Sequence, residues 1–199
     1  SIGYVLQEGG LFPHRSIADN IATVPRLEGA TKQASRERAL ELLNLVGLDL
    51  EMADRYPAQL SGGQRQRVGV ARALANRADI LLMDEPFGAL DPIVRAELQG
   101  ELKEIQRALG TTILFVTHDV DEAFTLGDQV AILSTGGHIE QVGTPTELLS
   151  SPASPFVAEF VGASRAARPV RIAGPDGLVV DDAGTPVGTL TTDKAGDRP

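Results

Sequence analysis

The sequence of 199 residues has no cysteine, no excess of positive charge and no long apolar run. Without cysteine there is no disulfide framework, no thiolate zinc site and no thiol nucleophile, which favours a reducing, cytosolic setting. The formal net charge of −9 argues against a nucleic-acid-binding domain, because such domains need concentrated positive charge to displace counterions from phosphates. Apolar runs of only a few residues predict that no segment spans a bilayer.

The last part of the chain differs in composition from the rest. Acidic and basic residues balance over 164–199, so the whole net charge of −9 falls on residues 1–163. The same stretch has no aromatic residue and is rich in proline and glycine, which predicts weak packing. We therefore place a domain boundary near residues 162–168, with a domain over 1–162 and a tail over 163–199.

Capping signals and apolar runs predict alternating strands and helices, and thus the α/β class. Continuous apolar runs at 80–83 and 113–116 predict strands buried on both faces, as in a parallel sheet covered by helices. The runs 129–133 and 139–142 predict a hairpin at the edge of that sheet. Short helices are expected after Thr144 and near Phe156. Three longer helices are predicted, from Thr31 or Ser35 to Gly47, from Ser61 to about Ala75, and from Pro92 to Gly110.

The start of the second of these helices predicts a phosphate site. Two consecutive glycines, Gly62 and Gly63, let a ligand approach the backbone because no Cβ intervenes. The first-turn N–H groups and the positive end of the helix dipole would face that ligand, and the Ser61 hydroxyl can donate to an anion. Taken alone, Ser-Gly-Gly is better explained as a well-capped structural helix.

Chemically useful side chains also follow the two predicted central strands. Asp84 and Glu85 end the first strand, at the carboxyl edge where α/β sheets bind their ligands, and His118 follows the second. The ordinary interpretation is a solvated acidic pair at a helix cap and a histidine at the start of a loop. His14 and His138 have no such setting.

Residues 60–64, Leu-Ser-Gly-Gly-Gln, with the basic continuation 65–67, resemble the signature motif of the ABC ATPases. The run 80–86 resembles a Walker B strand in the same family. This resemblance implies that Asp84 holds Mg²⁺, that Glu85 polarises the attacking water as a general base, and that His118 contacts the γ-phosphate.

The same resemblance implies roles for two further residues. Gln7 looks like the Q-loop glutamine, which reaches Mg²⁺ and the attacking water, and Asp91 looks like the D-loop aspartate, which communicates between two ATPase subunits. The implied cofactors are ATP and Mg²⁺. Gln7, Asp91 and residues 61–64 are thus candidate nucleotide-binding residues, with Ser61, Gly62, Gly63 and Gln64 acting on a partner subunit's ATP.

Further runs narrow the resemblance to subunits that import quaternary amines such as glycine betaine, carnitine, choline and proline. These runs are 9–14, 55–57, 67–74, 86–92 and 126–128. They imply an ATP-hydrolysing energy-coupling subunit of an osmoprotectant importer, peripheral on the cytoplasmic face of the cell membrane. The alternatives are an ABC ATPase of another importer and a truncated, non-catalytic remnant that only pairs with partners.

The partners implied by the family are a second ATPase subunit, in a homodimer or a pair, and transmembrane permease subunits with a substrate-binding protein; nucleic acid is not among them. A small helical subdomain is expected over about 14–75. Leu11, Phe12 and Pro13, which precede it, are the candidates for contact with the permease.

A Walker A loop, Gly-x-x-x-x-Gly-Lys-Ser/Thr, does not occur in the sequence. That loop cradles the phosphates with N–H groups and a lysine, and in the family it precedes the Q-loop. We therefore expect a P-loop NTPase-type domain that is N-terminally truncated and lacks the first strands and the P-loop. In the tail, residues 176–191 resemble the strand–turn–strand of a CBS unit, with a disordered tail as the alternative.

Overall fold

The computed structural model describes residues 1–162 except 7, 8 and 89, together with the backbone of three short strands between 171 and 189. The chain divides into two compact units, Ser1–Leu126 and Gly127–Pro199. Among the described residues, no helix is both long enough and apolar enough to cross a membrane.

The first unit is built on three parallel strands in the order β1-β2-β3. Val5 of β1 pairs with Met83 of β2, and Asp84 of β2 pairs with Val116 of β3, so all three strands end at one edge. Its elements are β1 Ile2–Val5, α1 Ile17–Ile21, α2 Thr23–Leu27, α3 Lys32–Leu45, two 3₁₀ helices at Leu50–Asp54 and Pro57–Gln59, α4 Gly62–Leu74, β2 Ile80–Asp84, α5 Pro92–Leu109, β3 Thr112–Val116 and α6 Val120–Leu126.

The predicted helix boundaries are confirmed where a cap residue marks them. Thr31 caps α3 by accepting from the Ala34 N–H at 3.2 Å, whereas Ser35 lies buried inside the helix. α5 begins with Pro92 and ends at Gly110, which adopts the left-handed conformation. These signals are local, because each cap residue satisfies N–H groups two or three positions away.

The prediction that the central strands are buried on both faces is wrong. Leu81 is fully buried, but Leu114 and Val116 of β3 are each 62% exposed, and burial alternates along all three strands. α4 and α5 pack on the face that carries Leu81 and Met83. Among the described residues, no element covers the opposite face of the sheet. Half of the side chains in each apolar run therefore form an apolar surface that is at least partly exposed.

The second unit starts with a hairpin of β4 Val130–Ser134 and β5 His138–Gly143. This hairpin was expected at the edge of the parallel sheet and instead forms a two-stranded sheet of its own, because its backbone groups pair with each other across the turn. The other elements are α7 Pro145–Ser150, α8 Pro155–Phe160, and the antiparallel strands β6 Arg171–Ala173, β7 Leu178–Val180 and β8 Pro186–Thr189.

Both short helices of this unit were predicted. Strands β7 and β8 fall within the predicted strand–turn–strand of 176–191, and residues 181–185 between them lie outside the described residues. Assignment of this segment to a CBS unit stays a prediction.

Candidate functional site

The carboxyl edge of the sheet brings a carboxylate and an imidazole together. Glu85 directly follows β2 and His118 follows β3, and because the strands are adjacent and parallel, both lie at the same edge. Glu85 Oε1 is 3.1 Å from His118 Nδ1. Sequence reasoning had placed both residues in the catalytic set, and the structure puts them in direct contact.

The backbone at Glu85 is unusual for a residue with a side chain. Its φ is +41°, in the left-handed region that costs an L-residue about 1–2 kcal/mol. The Glu85 N–H donates to the Val116 carbonyl at 3.0 Å, and its own carbonyl accepts from the Gly88 N–H at 3.2 Å. These bonds fix the strained turn and hence the direction of the carboxylate. Strain of this kind concentrates at functional sites.

The pair of Glu85 and His118 is accessible to solvent. The Glu85 side chain is 34% exposed and the His118 side chain 76% exposed. A carboxylate that contacts an imidazole and remains accessible can accept a proton from a bound water, which is the geometry a general base needs.

The neighbouring Asp84 is the described candidate for binding a metal. It is exposed at the end of β2, one residue before Glu85. Among the described residues, no three His, Asp or Glu side chains converge. Mg²⁺ is usually held by one or two carboxylates, with phosphates and waters completing its shell, so a single exposed aspartate at this edge fits that ion. Gln7, the second predicted metal and nucleotide ligand, lies outside the described residues.

The loop that carries His118 is tied to α5 by residues that sequence reasoning missed. Asp119 Oδ1 accepts from the Glu122 N–H at 3.2 Å at the start of α6, and Asp119 Oδ2 accepts from Arg95 Nη1 of α5 at 3.2 Å. An aspartate directly before a helix whose first turn is acidic is a recognisable cap signal and would have found Asp119. Arg95 has no comparable local signal.

At the start of α4, the side chains of residues 61–64 close the helix. Ser61 Oγ accepts from the Gln64 N–H at 3.2 Å, while Gln64 Oε1 accepts from the Ser61 N–H at 2.9 Å. This reciprocal arrangement is a capping box. The Gln64 amide oxygen is therefore occupied by the helix, whereas the Ser61 hydroxyl keeps its proton for an outside acceptor.

Gly63 has a packing role beside the ligand role expected from sequence. A Cβ placed on Gly63 would lie 2.8 Å from Val94 Cγ1, so α4 approaches α5 more closely than any larger residue permits. One placed on Gly62 would lie at an ordinary 3.5 Å from Leu90 Cδ2. The predicted phosphate motif is thus also the contact between α4 and the segment that begins α5.

Asp91, the predicted D-loop residue, lies in that same segment. Its Oδ1 accepts from the Ile93 N–H at 3.2 Å and from the Val94 N–H at 3.1 Å, which caps α5. The candidate residues therefore form two groups. One group comprises Asp84, Glu85 and His118 at the sheet edge. The other comprises residues 61–64, which lie near Asp91 and whose hydrogen bonds stay within the start of α4.

Comparison with known proteins identifies similar sequences. The family model described as ABC transporter matches residues 1–88. The glycine betaine/carnitine/choline transport ATP-binding protein OpuCA of Bacillus subtilis (strain 168) is 57% identical over 164 residues, which are 82% of this chain and 43% of the relative. The choline transport ATP-binding protein OpuBA of the same strain is 52% identical over 194 residues, which are 97% of this chain and 50% of the relative.

A solved structure agrees with the fold. The dimeric structure of a post-hydrolysis state of the ATP-binding cassette MJ0796 bound to ADP and Pi is 36% identical, with a TM-score of 0.61, covering 72% of this chain and 62% of that chain. The α/β fold with its parallel sheet is thus the P-loop fold of these ATPases. The chain spans about half the length of the curated relatives it matches. By its motifs, its fold and these relatives, the chain belongs to the ATPase domains of ABC transporters.

Proposed function

We propose that the chain is part of the ATP-hydrolysing, energy-coupling subunit of an importer for quaternary-amine osmoprotectants. The observation that carries the proposal is the 3.1 Å contact between Glu85 and His118, beside Asp84, at the carboxyl edge of a parallel sheet. The substrate class is supported by relatives named for glycine betaine, carnitine and choline transport.

The chemistry assigns a separate task to each group at the sheet edge. Glu85 orients the attacking water and takes its proton as the water attacks the γ-phosphate in line. His118 holds the Glu85 carboxylate through Nδ1; in its doubly protonated form, Nε2–H donates to a γ-phosphate oxygen. Asp84, together with Gln7, would hold Mg²⁺, and that ion offsets the charge that develops on the phosphate.

The second group of residues acts on a different nucleotide in this proposal. Residues 61–64 face the ATP of a partner ATPase subunit, so that two subunits enclose two nucleotides head to tail, and Asp91 lies between the two sites. Among the described residues, the Ser61–Gln64 hydrogen bonds stay within the start of α4 and do not involve Glu85 or His118, which agrees with such an arrangement. The structural relative is itself described as a dimer bound to ADP and Pi.

Since the 199 residues contain no Walker A sequence, we infer that the chain by itself binds MgATP very weakly and does not hydrolyse it. Phosphate release from MgATP should equal the buffer blank for the isolated chain. Turnover by the isolated chain that disappears in the Glu85→Gln variant would refute this inference.

The catalytic assignment is tested by supplying the phosphate-binding loop. A chimera that places an ABC ATPase segment with a Walker A loop before Ser1 should hydrolyse MgATP. Glu85→Gln in that chimera should lower kcat by about 10²–10⁴-fold, because the general base is lost while the shape is kept. Glu104→Gln, an exposed change on α5, is the matched control and should leave kcat unchanged. Equal turnover in the chimera and its Glu85→Gln variant would refute the role of Glu85.

We also propose a docking place for the permease beside loop 9–15. Phe12 and Leu27 are exposed, and the Arg15 guanidinium lies 5.0 Å from the centre of the Phe12 ring. Leu11, by contrast, packs against the core, which leaves Phe12 and Pro13 as the candidates for contact. An adjacent groove of about 460 Å³ is lined by Phe12, Arg15, Asp19, Thr23, Arg26 and Leu27.

The docking place is tested by co-purification of the full chain with the permease subunits. Phe12→Glu should abolish co-purification, because a charge would replace the apolar contact. Leu50→Glu, which changes a leucine on a 3₁₀ helix that is 49% exposed, against 41% for Phe12, should leave it intact. Equal recovery of both variants would contradict the proposal. A chain that docks in this way is peripheral on the cytoplasmic face of the membrane.

The tail of residues 163–199 belongs, in this proposal, to a CBS unit. The support is that the choline relative aligns over 97% of the chain, and therefore over most of the tail. The paired strands β7 and β8 agree with the expected strand–turn–strand.

A further inference from the structure

Arg72, near the end of α4, joins that helix to loop 9–15, which is part of the connection between β1 and α1. Its Nη1 donates to the Gly10 carbonyl at 2.7 Å and its Nη2 to the Gly9 carbonyl at 2.8 Å. The two donors of one guanidinium thus bind two successive carbonyls that lie more than sixty residues away in sequence. Arg72 is only 9% exposed, so solvent does not compete for these bonds.

The same loop is held on its other side by Asn20 of α1, which is fully buried. Asn20 Oδ1 accepts from the Phe12 N–H at 2.7 Å, and its Nδ2 donates to the Phe12 and Arg15 carbonyls, both at 3.1 Å. Asn20 Nδ2 also donates to the Ser16 carbonyl at 3.0 Å, so three of its four hydrogen bonds fix the backbone on both sides of the exposed Phe12 ring.

Backbone packing reinforces the contact between loop and helix. A Cβ placed on Gly69 of α4 would lie 2.9 Å from the Gly9 Cα, and one placed on Gly9 would lie 2.6 Å from the Arg65 carbonyl oxygen. Gly9 also has φ +78°, which favours glycine. The loop thus lies directly against α4 over the turn between Arg65 and Gly69.

Burial of Arg72 is costly if packing is its only role. In the described part of the chain, which leaves out residues 7 and 8, Arg72 donates only to these two uncharged carbonyls and forms no ion pair, and burial lowers the pKa of its guanidinium. A buried cation without a counter-charge is generally less stable than an apolar residue of similar volume. Arg67, on the same helix, differs because Glu101 pairs with it at 2.7 Å.

We infer that Arg72 is a positioning residue that makes loop 9–15 and α4 one rigid body, so that a push on Phe12 reaches residues 61–64. The inference rests on the proposed function, in which Phe12 contacts the permease and residues 61–64 contact a partner subunit's nucleotide. A helix is stiff, and α4 carries the displacement from Arg72 to Gly62 over about 15 Å at 1.5 Å per residue.

The test measures distances between spin labels in the full chain, which has no cysteine of its own. One pair, Phe12→Cys with Ala58→Cys, spans the loop and the segment before residues 61–64. A second pair, Glu37→Cys with Ala58→Cys, lies on the helices alone; all three positions are exposed. We expect one narrow distance peak for each pair, and loss of the narrow peak for the 12–58 pair alone in Arg72→Met.

Arg67→Met is the matched control, because Arg67 also lies on α4 and donates to two successive carbonyls, those of Val46 and Gly47. It should leave the 12–58 peak narrow. A narrow 12–58 peak in Arg72→Met, or equal broadening of both pairs, would overturn the inference, since the latter indicates general loosening.

If Arg72→Met does not fold, Arg72→Lys takes its place, because lysine keeps the charge and one carbonyl bond. If neither folds, Arg72 holds the fold together, and the inference is also overturned. The measurement needs no nucleotide and no permease. A result against the rigid link would therefore not contradict the proposed function. Likewise, an inactive chimera would not contradict the rigid link.

Discussion

At the carboxyl edge of the sheet, Glu85 and His118 meet through accessible side chains, whereas at the start of α4 the side chains of residues 61–64 close their own helix. The first group can be changed without disturbing what lies beneath it. The second is part of the packing of α4 on α5 through Gly63. Substitutions at the sheet edge should therefore change ATP hydrolysis without changing the free energy of unfolding. Substitutions at the start of α4 should change both.

The largest loss of stability is expected for Gly63→Ala. The new methyl group would meet Val94 Cγ1, and such overpacking lowers the free energy of unfolding by about 1–3 kcal/mol. Adding Val94→Ala should recover part of that loss, because it removes the opposing methyl groups. Urea unfolding of both single variants and the double variant measures the coupling. Purely additive losses would contradict the packing role of Gly63.

A smaller loss is expected for Ser61→Ala, which removes the cap of α4. Loss of a serine cap lowers the free energy of unfolding by about 1 kcal/mol. Ser61→Asn keeps an oxygen that accepts from the helix N–H groups and should stay close to the parent chain in the same urea titration. If the two variants unfold at the same urea concentration, the hydroxyl does not stabilise the helix.

Lowering the pH should weaken the capping box of α7 but not the capping box of α4, although the two have the same geometry. In α7, the Thr144 N–H and hydroxyl donate to Glu147 Oε2 at 2.8 and 3.0 Å, and these bonds hold the pKa of Glu147 below its ordinary value of 4.5. Because the bonds favour the charged carboxylate, their stabilisation is complete above the ordinary pKa and is lost as the pH falls through the lowered one.

The NMR measurement is amide exchange at the first turn of α7 as the pH is lowered from 5. Protection there should fall, while the first turn of α4 should keep its intrinsic pH dependence because Gln64 does not ionise. Glu147→Gln should remove the extra acid sensitivity of α7. Equal acid loss at both helix starts would contradict the assignment to Glu147.

The smallest change in stability is expected for His118→Ala. The His118 side chain is 76% exposed, and such substitutions usually change the free energy of unfolding by less than about 0.5 kcal/mol. Urea unfolding should therefore give the parent midpoint, even though the proposed contact with the γ-phosphate is lost. A clear loss of stability would show that His118 belongs to the fold as much as to the site.

Sequence reasoning succeeded where the determining interactions are local. Thr31, Ser61 and Pro92 begin helices because each acts within one turn, and the pattern of the chain shows it. The family resemblance had placed Glu85 and His118 in one catalytic set, and the structure brings them into contact because the adjacent parallel strands before them end at the same edge.

Sequence reasoning failed where the determining interactions join residues that are distant in sequence. Whether Leu114 faces a helix or solvent depends on which elements cover each face of the sheet, and an apolar run looks the same in both cases. Arg72 and Asn20 bind loop 9–15 from positions where a surface arginine and an interior asparagine carry no distinguishing pattern. Only the fold reveals their partners.

The most direct test of the two-group arrangement mixes this chain with a variant of its choline relative. In that variant, arginine replaces the residue that aligns with Ser61, so that its own pairs should be inactive while the Walker A loop expected for the family is left unchanged. Added chain should restore MgATP hydrolysis by contributing residues 61–64 to the relative's nucleotide, and the chain carrying Ser61→Arg should not. No restored turnover, or equal turnover with both forms of the chain, would contradict the proposal that residues 61–64 act on a partner subunit's ATP.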